Sequence, residues 1–119
     1  MKIVVTSQGG SLESPVDMRF GRAAWFVLYD SDTGGLEVHE NTSGAGASQG
    51  AGVQAAERIS QLGADVVITG HCGPKAFRTL RAAGIRVALC SEGTVAEVLD
   101  RFKSGGLEFT ETPDVEGHW

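Results

Sequence analysis

Cysteine and histidine are scarce in this sequence: two cysteines, Cys72 and Cys90, and three histidines, His39, His71 and His118. So few thiols argue against a disulfide framework, and the histidines show no metal-ligand spacing. The cysteines read as free thiols. Positive charge is also short, with 10 Lys and Arg against 15 Asp and Glu and a formal net charge of -5. Without a basic excess to neutralise phosphates, a general nucleic-acid binder is excluded, and an anionic membrane surface is disfavoured for the same reason. No apolar run approaches the ~20 residues that span a bilayer, and "MKIVVTSQGG" turns polar too soon for a signal peptide. A cytoplasmic protein is expected. Enzyme signatures are missing as well. There is no Walker lysine, no G-x-S-x-G, no Ser-His-Asp arrangement and no carboxylate on the first strand for a two-metal nuclease. Binding is favoured over catalysis.

What the chain does have is glycine, 17 in 119 residues, and a regular succession of apolar segments that fits one domain over residues 1–119. Strands are expected at 2–7 ("KIVVTS"), 24–30 ("AWFVLYD"), 36–41 ("LEVHEN"), 65–69 ("DVVIT") and 85–90 ("IRVALC"), where β-branched and aromatic residues run between turn signals. The second and third strands, joined across "SDTGG", form an antiparallel hairpin. Helices are expected at 53–63, where Val53, Ala56, Ile59 and Leu62 recur and Gly63 ends the run, at 74–84, with proline first and glycine last, and at 95–105 behind a Thr94 to Glu97 capping box. The tail is acidic and aperiodic apart from one short candidate strand, and residues 112–119 are expected to be flexible. Right-handed crossovers give an α/β fold with a five-stranded mixed sheet of order 3-2-1-4-5, only strand two antiparallel, flanked by three helices. Ligands in such sheets bind at the carboxyl edge, where "SQGGSLESPVD", "TSGAGASQGAG", "HCGP" and "SEGT" gather.

Those loops hold the unusual residues. In "ITGHCGP", Gly70 and Gly73 would permit positive φ or a close approach, and the helix opening at Pro74 offers unpaired amides and a positive dipole end to an anion. Cys72 and His71 add a thiolate and an imidazole, and a helix N-terminus favours the thiolate. The plainer reading is a strand-to-helix turn with a passive cysteine. Cys90 would stand near Cys72 at the same edge, or serve as a small core residue. Gly50, Gly52 and Ala55 have a G-x-G-x-x-A spacing, but no acidic ribose partner follows about 20 residues on. A cradle with donors from Ser43, Ser48 and Gln49 is the alternative, beside a plain helix start in small residues. "SPVDMRFGRA" supplies Arg19 and Arg22, always charged and fork-shaped donors, with Asp17 as either a site residue or an internal partner. Lys75, Arg78 and Arg81 step along one helix, where Lys75 alone would reach an anion at its N-terminus. His118 and Trp119 would make a lid, although chain ends are usually mobile.

"MKIVVTS", "SPVDMRFGRAAWFVLYD", "GAGVQAAERI", "DVVITGHCGPKAFRTLRAAGI" and "GHW" together resemble the dinitrogenase iron-molybdenum cofactor biosynthesis family over nearly the whole chain. The most specific elements are D-x-R-F-G-R-A from Asp17 to Ala23 and I-T-G-x-x-G-P from Ile68 to Pro74. The resemblance implies a small ribonuclease H-like domain that binds or carries metal-sulfur clusters. These include iron-molybdenum cofactor precursors and, in the orange proteins of sulfate-reducing bacteria, a molybdenum-copper sulfide cluster held without covalent bonds. It implies cluster donor or acceptor proteins as partners. Arg19, Arg22 and Lys75 would then supply charge, Gly50, Gly70, Gly73, Ser43 and Ser48 close approach and donors, and Cys72 and His71 candidate metal ligands. A metal-free small-anion sensor or adaptor, or a hydrolase or transferase acting on such an anion, is the alternative.

Overall fold

The structure, a computed structural model, describes residues 1–42 and 50–113. Along it run β1 (Lys2–Ser7), β2 (Trp25–Asp30), β3 (Leu36–Glu40), α1 (Ala51–Gln61), β4 (Val66–Thr69), α2 (Pro74–Ala82), β5 (Arg86–Leu89), α3 (Val95–Lys103) and β6 (Phe109–Thr110). They form one mixed sheet of order β3-β2-β1-β4-β5-β6. The expected order of the first five strands is present. The count of five is corrected to six, and β2 is not the sole reversed strand, because β6 pairs antiparallel with β5. Two residues are too short to show a period, and packing holds them instead. The Phe109 ring lies beneath the Arg86 guanidinium at 3.6 Å and meets Phe102 edge-on at 5.8 Å.

Pleating divides the core in two, since successive side chains point to opposite faces. On one face Val4, Phe26, Leu28, Val67 and Val87 pack with Ala55, Ala56 and Ile59 of α1 and Ala76, Phe77 and Leu80 of α2. On the other, Ile3, Val5, Val27, Val66, Ile68 and Ala88 pack with Val95, Val98 and Leu99 of α3. Fully burying one such side chain contributes roughly 1.5–3 kcal/mol, so these two clusters supply most of the drive to fold. The parallel strands β1, β4 and β5 end together, and the first turns of α1 and α2 share that end on a single face. α1 starts at Ala51, two residues before its expected start, because Ala51 is itself buried against the core.

Candidate functional site

The chain between β1 and β2 does more than connect them. Its residues 18 to 20 run beside the "HCG" turn as an extra sheet segment: the His71 amide donates to the Met18 carbonyl at 2.7 Å and the Phe20 amide to the His71 carbonyl at 3.1 Å. Gly70 makes this possible, since a Cβ there would stand 2.7 Å from Met18 Cα. Its role is close approach and not positive φ, while Gly73 is in an ordinary extended conformation at φ -77° and ψ 170°. Phe20 is fully buried and anchors the loop in the α1–α2 core. Gly21 then lies on the start of α1, where a Cβ would come within 2.6 Å of the Gly52 backbone, and a Cβ on Gly52 would be 3.0 Å from Ala76 Cβ in the first turn of α2. Gly21, Gly52 and Ala76 therefore bring the D-x-R-F-G-R loop and two helix N-termini into one cluster.

Buried hydrogen bonds fix the loop. The Asp17 amide donates to the Thr6 carbonyl at 2.8 Å, and the Thr6 hydroxyl donates back to the Asp17 carbonyl at 2.7 Å while lying 2.8 Å from the Thr69 hydroxyl. Asp17 Oδ1 accepts from the Arg19 amide at 3.1 Å and stands 3.7 Å from Arg19 Nε. Asp17 thus takes its internal reading and shapes the loop for Arg19. Beyond the arginines, buried Asn41 donates from Nδ2 to the Ala23 carbonyl at 2.8 Å, and its amide donates to the Ala24 carbonyl. Asn41, Thr6 and Thr69 were not legible as site residues, because a polar residue closing a strand carries no signal of its distant partner. Gly52 was visible only as part of the weak glycine spacing, whereas its role is contact between helices.

The three helix starts differ. The amides of Val95 and Ala96 at the start of α3 donate to the Ser14 and Leu12 carbonyls at 2.9 Å, and the Thr94–Glu97 capping box closes the rest. The "SEGT" loop is thereby removed from the set expected to face a ligand. At α1 and α2 the N-cap residues are Gly50, at φ +76°, and Gly73. Among the described residues neither helix has a side-chain cap hydrogen bond or an acidic residue in its first turn. Both therefore present amides and the positive end of the helix dipole at one place. Arg19 and Lys75 are exposed there, and Arg22 and His71 are half-buried. Arg78 is exposed farther along α2, and Arg81 is engaged with Glu111 at 3.3 Å. Ser43, Ser48 and Gln49, and His118 and Trp119, lie outside the described residues.

The cysteines do not meet. Cys72 is 1% exposed within the α1–α2 core, its thiol turned to the Gly73 carbonyl at 3.8 Å, while Cys90 lies in the α3 core on the opposite face. Burial pushes the Cys90 thiol pKa up, partly offset by Arg101. Of the two readings of Cys90, the fold takes the small core residue, on the face of the sheet opposite Cys72. Among the described residues no three of His, Cys, Asp and Glu group to hold a metal ion. The arrangement is chemically an anion cradle of amides and cations.

Known proteins share this construction. The apo form of the orange protein from Desulfovibrio gigas is 43% identical, with 96% of each chain covered and a TM-score of 0.93. A Thermotoga protein assigned to the DUF35 family is 37% identical over 98% of each chain, with a TM-score of 0.86. An uncharacterised protein of Methanocaldococcus jannaschii is 30% identical over 92 residues, 75% of this chain and 77% of its own. Residues 1–105 match the family model described as dinitrogenase iron-molybdenum cofactor, a span that takes in the arginine loop and both open helix starts. The chain belongs to the dinitrogenase iron-molybdenum cofactor family.

Proposed function

We propose that this protein binds and carries, without covalent bonds, an anionic molybdenum-containing metal-sulfur cluster at the joined N-termini of α1 and α2. One observation carries the reading: two helix starts without a side-chain cap among the described residues are drawn together by the Gly21–Gly52–Ala76 contacts, beneath a loop bearing Arg19 and Arg22. A helix N-terminus favours an anion through its amides and its dipole, and fixed guanidinium groups add charge-assisted bonds. The 43% identity to an orange protein supports a molybdenum-copper sulfide cluster as the cargo, and the family supports an iron-molybdenum precursor. Arg19, Arg22 and Lys75 supply charge, Gly50 and Gly73 let the backbone close around the cargo, and Gly70 seats the arginine loop beside it. Ser43 and Ser48 add hydroxyl donors. His71 borders the cradle, and Cys72, at 1% exposure, supports its wall and does not ligate. Cluster donor and acceptor proteins are the partners of such a carrier.

The test is anaerobic titration of the metal-free protein with tetrathiomolybdate, with and without copper(I), following visible absorption and the metals retained after gel filtration. Stoichiometric retention of molybdenum with copper and new charge-transfer bands is the expected result. Retention only with iron would place the protein with the nitrogenase-cofactor carriers. Removing one charge-assisted bond costs roughly 1.5–3 kcal/mol, so Arg19→Ala or Arg22→Ala should weaken uptake about tenfold or more. Cys72→Ala should retain it. Loss of uptake in Cys72→Ala with the fold intact would restore the thiol as a ligand. No retention by the wild type would remove the cluster reading and leave a small organic or phosphorylated anion to be sought at the same edge.

A further inference from the structure

The sheet ends at β3 in the described structure, and that edge has a specific pattern. Leu36 and Val38 project to the α3 side of the sheet, beside Tyr29 and Val27, yet are 42% and 38% exposed. Two ladder bonds fix the phase of the β2–β3 pair: the Asp30 amide donates to the Gly35 carbonyl and the Asn41 amide to the Ala24 carbonyl. In an antiparallel pair alternate residues turn both polar groups to the same neighbour. Glu37 and His39 therefore face β2 with their backbone groups. Leu36, Val38 and Glu40 turn theirs away from the sheet. An edge strand of this kind is a template for another strand.

We propose that β3 pairs antiparallel with β3 of a second copy of this chain, centred on Val38, to give one continuous sheet through two molecules. Pairing about Val38 places Val38 opposite Val38 and Leu36 opposite Glu40, and these are the residues whose backbone groups point outward. Both ladder bonds can form at each of those positions. Val38 against Val38 and Glu37 against His39 agree with that register, while Leu36 stands across from Glu40. Leu36 and Val38 of the two copies form a continuous apolar strip through direct and diagonal neighbours on the α3 side. On the other side Glu37 of each copy stands opposite His39 of the second, in the closely spaced non-hydrogen-bonded positions. The two residues already attract one another within a single chain, Glu37 Oε1 lying 3.1 Å from His39 Nε2. Self-complementarity selects a second copy, because the five-residue sequence "LEVHE" meets its own reverse with each Glu37 carboxylate opposite an imidazole able to donate to it. The interface is small, so the pair dissociates on dilution. It is independent of the cluster reading.

Sedimentation equilibrium of the full chain at rising concentration tests it, together with residue-resolved amide exchange. The average mass should climb from 12.5 kDa toward twice that value. The Leu36, Val38 and Glu40 amides should exchange more slowly as concentration rises, while the Glu37 and His39 amides, already bonded to β2, should not change. Val38→Pro removes an N–H that points away from β2 and suits an edge strand, so that variant should stay at 12.5 kDa with the β2–β3 ladder intact. A mass that holds at 12.5 kDa at every concentration overturns the proposal. So does a dimer in which the three outward amides are unprotected, or capture of the edge only by a foreign strand. If Val38→Pro does not fold, the exchange of the wild-type amides decides alone.

Discussion

At Gly21 a hydrogen atom stands where any other residue would place a methyl group or more against the backbone of α1. The Gly52 nitrogen and Cα are 2.6 Å from that position and the Ala51 carbonyl carbon 2.9 Å, all backbone atoms that cannot rotate aside. Overpacking of this kind costs about 1–3 kcal/mol, so Gly21→Ala should lower Tm by about 4–12 °C in a thermal melt. An unchanged Tm would mean that the loop and the helix are not in contact. The sequence shows the glycine but not what it touches, because its neighbour lies on a different element. The same limit governs Cys72. A helix start beside a thiol reads as a reactive site, whereas the fold turns this thiol inward to the α1–α2 core.

The helices differ in how their starts are closed among the described residues. α3 is closed twice, by the Leu12 and Ser14 carbonyls and by its capping box, in which Glu97 Oε1 accepts from the Thr94 amide at 2.9 Å and the Thr94 hydroxyl from the Glu97 amide at 3.2 Å. Replacing Thr94 by Ala should cost about 1 kcal/mol, read as a lower urea midpoint. The hydrogen bonds from Thr94, the backbone amide first and then the hydroxyl, hold the Glu97 carboxyl below the usual carboxylate range. A carboxyl lowered in the folded state contributes stability at neutral pH and loses it as pH falls through the lowered value. Urea midpoints measured across that acid range should fall more steeply for wild type than for Glu97→Gln, which keeps the box without the charge. Equal slopes would show that the carboxylate is not held by the cap. The capping box was legible because Thr94 and Glu97 are local. Its closure by residues 12 and 14 was not, and β6 showed only as a short candidate strand, since its pairing depends on Phe109 meeting Arg86 and Phe102.

For the molecule as a whole, strand periodicity and the right-handed crossover rule were enough to order the first five strands, since each decision involved neighbouring segments. They also gathered four loops at one edge. Which loops gather at the starts of α1 and α2 depended on packing between distant segments: Phe20, Gly21 and Gly52 draw the arginine loop onto α1 and α2, while Val16, Ser14 and Leu12 hold the chain to the start of α3. Cys90 keeps the alternation of β5 and joins Ala88 on the α3 side, whereas the turn after β4 carries Cys72 into the α1–α2 core. The proposed cradle would set a local concentration of donors against the acidic background of a protein with net charge -5. The most direct measurement is an amide chemical-shift titration of the metal-free protein with tetrathiomolybdate, read residue by residue. The account predicts that shifts concentrate at Arg19, Gly21, Gly52, Lys75 and Ala76, with Val95, Ala96 and Glu97 unmoved. Shifts centred on α3, or none at the starts of α1 and α2, would contradict it.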